Sequence, residues 1–148
     1  MSDSLGFLIA DVSRLLRRTF DARVRTIGVT RPQWRVLTYL ARNEGINQGG
    51  LAELLDVEPI TASRMVDRLA DAGLVERRAD PGDRRAWRLY LTDRSARLIA
   101  ELRPIAEGLF DDAMAGFDDR ERQAFVDYLQ RVRANLTAPD DTRIAANG

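Results

Sequence analysis

The side chains best suited to act on another molecule are the cations. All 23 of them are arginines, and the chain has no lysine, histidine or cysteine. Arginine presents a planar fork of donors that matches phosphate oxygens, or the O6 and N7 acceptors of guanine, in bidentate fashion. Catalytic chemistry is poorly provided for. There is no histidine for general-base work, no cysteine nucleophile and no glycine-rich phosphate loop. The acid pairs Asp111-Asp112, Asp118-Asp119 and Asp140-Asp141 are adjacent in sequence, so on a helix they point apart, and two of them sit at a cap or in a tail. Carboxylates alone are a poor zinc ligand set. The expectation is therefore a protein that is not an enzyme and needs no metal or cofactor.

The arginines that matter lie between Glu58 and Thr92. Arg64 suits a bidentate contact to a guanine edge, the competing use being a surface pair with Asp67 one turn on. Thr61 and Ser63 suit donation to base edges or phosphates near a helix start, where the dipole also favours phosphate; singly, each equally suits a solvated hydroxyl. Arg68, later on the same helix, suits phosphate. Pro59 and Ile60 suit contact with a thymine methyl, with burial an equal alternative for Ile60. Beyond them, Asp80-Pro81-Gly82-Asp83 is a turn sequence that should project Arg84 and Arg85 outward. A narrow minor groove concentrates negative potential and attracts such guanidinium groups; otherwise they decorate a solvated tip. Arg77, Arg78 and Arg88 read as strand residues that neutralise phosphates or are simply solvated.

Caps and hydrophobic periods define the elements that must position these groups. Residues 4–27 carry Leu5, Leu8, Ile9, Val12, Leu16, Phe20, Val24 and Ile27 at helical spacing, about six turns. Thr30-Arg31-Pro32-Gln33 is a capping-box start for a second helix burying Trp34, Leu37, Leu40 and Ala41, which Glu44-Gly45 ends. A third helix from about Asn47 carries Leu51, Leu54 and Leu55. Pro59 opens a fourth, with Ala62, Met65, Val66 and Leu69 on one face and Gly73 as its stop. Leu74–Arg78 and Trp87–Leu91 read as strands, with Trp87, Leu89 and Leu91 on one side. Thr92 caps a long helix with Leu98, Ile99, Leu102, Ile105, Leu109 and Phe110 on its stripe, and Pro104 should bend or tighten it. A last helix follows Asp118–Glu121 and holds Ala124, Phe125, Tyr128, Leu129, Val132 and Leu136. Two short helices, a turn between them, and a hairpin with a cationic tip make a winged helix-turn-helix, which makes double-stranded DNA the leading partner.

Charge distribution agrees. The formal net charge is zero, but residues 1–42 hold eight arginines against three acids, and residues 101–141 hold ten acids against five arginines. A basic stretch followed by an acidic one fits nucleic-acid binding by part of the chain. At 148 residues one domain is expected. No apolar run suggests a membrane span and no export signal is visible, so a cytoplasmic location without membrane contact is expected.

The chain resembles the MarR family of transcriptional regulators over residues 5–137. The likeness is carried by Gln33-Trp34 with Leu37, by Leu51-Ala52, by Thr61-Ala-Ser-Arg64-Met-Val-Asp67-Arg68-Leu69, by Asp80-Pro-Gly-Asp83-Arg84-Arg85 and by Leu89-Tyr-Leu91-Thr92. Gly49-Gly50 and Ser95 depart from the usual pattern, at positions of local helix stability rather than of DNA reading. The resemblance implies a mainly α fold with a small β-hairpin wing. Residues 30–92 would form the DNA-binding lobe, residues 1–29 and 93–137 the dimerisation helices, and residues 138–148 a flexible tail. It also implies a homodimer, in most cases a repressor, straddling an inverted-repeat operator; surplus apolar stripes on the terminal helices favour the same arrangement, the competing one being a monomeric bundle of those helices with the lobe. Asp83 would orient one wing arginine. The resemblance further implies release of DNA by a small organic effector, often an aromatic acid, where the dimer helices meet the lobe. Trp34 and Tyr39 could wall such a site, and Arg14, Arg17, Arg18 or Arg35 could pair with its carboxylate; core packing for Trp34 and surface charge for the arginines are the competing uses. The competing function is a winged-helix module that binds protein instead of DNA.

Overall fold

The computed structural model describes residues 4–137; the expected tail at 138–148 lies outside these. Six helices and one hairpin follow in the order α1 (Leu5–Val24), a 3-10 turn (Arg25–Ile27), α2 (Arg31–Arg42), α3 (Gln48–Leu55), α4 (Pro59–Asp71), β1 (Val75–Asp80), β2 (Asp83–Leu91), α5 (Asp93–Ala113) and α6 (Asp119–Thr137). The chain is mainly α with a two-stranded antiparallel wing, as the caps and periods imply. None of these helices is long and apolar enough to cross a membrane. Compact units divide between Leu109 and Phe110.

In the first unit the lobe is organised around Val36, Leu37 and Leu40 of α2, Leu51 and Leu55 of α3, Val66 and Leu69 of α4, and Leu89 of β2, all essentially inaccessible to solvent. Three helical stripes converge, and caps fix where α2 and α3 begin. Thr30 and Gln33 close a complete capping box on α2, and the Asn47 side chain accepts the Gly50 amide at 2.7 Å on α3. A side chain at Gly50 would come within 2.9 Å of Ile46, so the glycine that interrupts a good helix-forming sequence makes room for close packing. Gly73, at φ +73°, turns the chain out of α4 into β1. A second cluster joins Phe20 and Val24 of α1 to Leu102 and Leu109 of α5.

Some expectations need correction. Val36 takes the buried place assigned to Ala41, which is exposed. Residues seven apart share a helix flank, so Trp34 and Ala41 lie together beside the 36-37-40 stripe. The large indole finds Phe20, with ring centroids 5.0 Å apart, and the small methyl finds nothing. Leu54 is exposed on α3. The strands run further toward the turn than apolar alternation suggested: Asp80 still pairs with Asp83 across Pro81-Gly82, while a register shift after the Ala79–Trp87 pair leaves Arg84, Arg85 and Ala86 without partners in β1. Trp87 shares a side with Leu89 yet is 47% exposed, since the hairpin has by then left the lobe.

Ser95 is the reverse of a weakness. Its amide donates to Thr92 Oγ1 at 3.2 Å, and its Oγ accepts the Thr92 amide at 2.9 Å. That reciprocal cap starts α5, and Ser95 is fully buried in it. In the second unit Asp118 and Glu121 cap α6 in the same reciprocal way. The stripe of α6 buries nothing: Phe125, Tyr128, Leu129, Val132 and Leu136 are all exposed, as is Phe110.

Candidate nucleic-acid interface

The two arginine-bearing elements are set by the lobe. α4 turns Ala62, Val66 and Leu69 into the core, so Pro59, Ile60, Thr61, Arg64 and Arg68 face solvent and Ser63 is half-buried. Ile60 is 63% exposed, which decides its open alternative against burial. The start of α4 differs from every other α-helix among the described residues. Those have side-chain caps, whereas Glu58 makes no capping hydrogen bond. Its first amides are therefore available, at the positive end of the helix dipole, to an anion such as phosphate.

Asp67 does not pair with Arg64. It is held by Arg77 of β1, whose Nε also donates to Gln48 Oε1 at 3.1 Å at the start of α3. Arg64 and Arg68 are left exposed and, among the described residues, in no ion pair. The wing repeats this division. Arg78 pairs with Glu76 and lies over the Tyr90 ring, 4.0 Å from its centroid. Arg88 pairs with Asp80 at 3.1 Å. The Gly82 amide, and after it Arg88, hold the Asp80 carboxyl below its ordinary range; hydrogen bonding to Glu76 raises the Arg78 guanidinium, and that to Asp80 raises Arg88. At the tip, Arg84 and Arg85 are exposed and make no ion pair among the described residues. The Asp83 carboxylate accepts the backbone amide of Arg85 at 2.9 Å, so it shapes the chain at the tip rather than gripping a guanidinium. The wing is tied down at its base, where Leu89 donates to Ile46 O and Gly45 to Leu89 O, and Asn47 bridges to Arg88.

The six residues expected at an effector site lie on α1 and α2. Arg14 pairs with Asp11, and Arg35 donates to Leu55 O at 3.0 Å beside the Tyr39 ring. Trp34 stacks on Phe20, while Arg17 and Arg18 face solvent. None of the six lines either of two cavities in the first unit. One, of about 280 Å³, is bordered by Ile27, Gln33, Leu74, Arg94, Arg97 and Glu101. The other, of about 300 Å³, lies between Pro32, Val36, Met65, Arg68 and Leu69.

Comparison with known proteins gives one answer. The sequence model of the MarR family matches residues 27–86, from the approach to α2 through the wing tip. A crystal structure of the transcriptional regulator PA3341 is 36% identical, superposes with a TM-score of 0.77, and the match covers 90% of this chain and 98% of that one. A MarR transcriptional regulator from Methanosarcina mazei is 29% identical with a TM-score of 0.79, over 88% of this chain and 94% of its own. An uncharacterized HTH-type transcriptional regulator of Bacillus subtilis, YybA, is 27% identical over 128 residues, 86% of this chain and 85% of that protein.

Proposed function

Since the chain belongs to the MarR family of transcriptional regulators, we propose that it binds a pseudo-palindromic operator as a homodimer and represses the genes beside it. The observation that carries this reading is the sorting of arginines. Those on the outer face of α4 and at the wing tip are exposed and without ion pairs among the described residues, while the arginines around them are neutralised within the chain. In the proposal α4 enters the major groove, with Arg64 on a guanine edge and Thr61 and Ser63 beside the uncapped helix start. Pro59 and Ile60 meet a thymine methyl, Arg68 meets phosphate, and Arg84 or Arg85, on a tip shaped by Asp83, enters the minor groove.

The proposed dimer contact lies on the terminal segments, 1–29 and 93–137, with residues 30–92 as the DNA-binding lobe. Support comes from two exposed faces, each amphipathic in its own right. α1 exposes Leu5, Phe7, Leu8, Ile9, Val12 and Leu15, and α6 exposes its whole stripe. Apolar surface of this extent is what an interface covers. Release, in this reading, is driven by a small organic acid. The cavity bordered by Arg94 and Arg97, with Glu101 beside them, offers two cations for it, and the other cavity offers Arg68 alone.

The direct test is to select duplexes from a randomised pool with the purified protein, then measure mass and footprint on the selected DNA. An inverted repeat with half-sites about 10 base pairs apart, bound by two copies, is expected. A monomer that binds one half-site tightly would overturn the dimer. Titrating aromatic carboxylates against this complex, while following tryptophan fluorescence, tests the effector. No response at millimolar concentration would remove it.

A further inference from the structure

One acid sits in the middle of the proposed reading face. Asp67 lies on α4 between Arg64 and Arg68, and its side chain is 56% exposed. A free carboxylate there would repel phosphate and, one turn from Arg64, would compete with DNA for that guanidinium. The structure prevents both. Arg77 reaches from β1 to Asp67 with one end of its fork while its Nε is held by Gln48 Oε1 at 3.1 Å. Its own side chain is only 25% exposed, so its charge is turned toward Asp67 and Gln48 more than toward solvent. One guanidinium thus connects the start of α3, the middle of α4 and the first wing strand.

We propose that Arg77 is a positioning residue of the DNA interface: it neutralises Asp67 and fixes α4 against the wing, leaving Arg64 free for the base edge. This rests on the DNA-binding reading above, and it replaces direct phosphate binding as the role of Arg77. The role is electrostatic toward a neighbour within the chain. Its loss should therefore be repaired by removing that neighbour's charge, a repair that would do nothing for a missing bond to phosphate.

The experiment measures affinity for a duplex enriched from a randomised pool by the wild-type protein, as a function of salt, for Arg77→Gln, Asp67→Asn and the double variant. Arg77→Gln keeps a donor for Gln48 and tests charge without emptying the site; thermal unfolding of each variant reports whether the lobe is intact. Arg77→Gln is expected to weaken binding about tenfold, and Asp67→Asn in the same chain to restore it to within about threefold of wild type. The double variant should also keep the wild-type salt dependence. If the double variant binds as poorly as Arg77→Gln, with a salt slope lower by about 0.9, Arg77 contacts phosphate and the positioning role is wrong. Should Arg77→Gln unfold, the Asp67→Asn background supplies the test: a folded double variant with wild-type affinity supports the role, and one that stays unfolded or weak overturns it. If the wild-type protein enriches no duplex, the DNA-binding reading itself fails, and this role with it.

Discussion

The tip and the shaft of the wing are built from the same residue type in opposite circumstances. On the shaft, Arg78 and Arg88 have carboxylate partners two and eight residues away, and Arg78 also covers an aromatic ring. At the tip, Arg84 and Arg85 have none among the described residues: Asp83 accepts a backbone amide, and Asp80 is held by the Gly82 amide and Arg88. The shaft's guanidinium charges are paired before any ligand arrives, so a phosphate must compete with their carboxylates. Those at the tip can be engaged without breaking anything. The same contrast holds on α4 between Arg64 and the Arg77 that occupies Asp67. On α4 and the wing, the arginines without an ion pair among the described residues are those on the outer helix face and at the hairpin tip.

Substitutions can break this contrast. The largest effect is expected from Arg64→Ala, about 1–3 kcal/mol of operator affinity together with relaxed discrimination at one base pair, read from binding to a panel of singly substituted duplexes. Next comes Arg84→Ala with Arg85→Ala. It should weaken binding nearly equally on all sequences and lower the salt slope by about 0.9 for each phosphate no longer neutralised. Wing variants without discrimination, beside an Arg64→Ala protein that kept its affinity, would exchange the two roles. On the shaft, Arg78→Ala should change affinity by no more than about 0.5 kcal/mol, as for other surface substitutions; a tenfold loss would mean that its pair opens on DNA.

The smallest effect is a titration. Asp80 is held below its ordinary range by the Gly82 amide first and Arg88 second. A carboxyl depressed on folding stabilises the hairpin above its unfolded value and ceases to do so as pH falls through the lower, folded value. The Gly82 amide resonance should therefore titrate with a midpoint below the 3.8 of a free aspartate, and Arg88→Ala should move that midpoint upward. A midpoint unaffected by Arg88→Ala would leave the backbone amides of Gly82 and Asp83 as the cause.

Helix starts and stops were the most legible part of the sequence. Thr30 with Gln33, Asn47, Pro59, Gly73 and Asp118 with Glu121 each solve a local hydrogen-bonding problem, so their meaning does not depend on the rest of the fold. Burial at the margins was less legible. Trp34 and Ala41 share a flank, and only the position of Phe20 on another helix decides which of them is covered. Trp87 obeys the alternation of its strand, but no local rule says where the lobe ends beneath it. At the site, the outward face of α4 follows from its period. The partners of its charges do not: Asp67 is one turn from Arg64 in sequence and bound to Arg77 ten residues away through the bend at Gly73. A pair across a turn can only be read once the turn is built.

That bend has a mechanical consequence. The Thr92 hydroxyl donates to Gly73 O at 2.7 Å, and Arg94 Nη1 donates to Ala72 O at 2.7 Å, so the start of α5 grips the two carbonyls that follow α4. The grip is at the end of α4 opposite its uncapped start. A displacement of the start of α5 is therefore passed to α4 through its exit, while Arg77 on Asp67 and the buried Ala62 and Val66 hold the rest of that helix to the lobe.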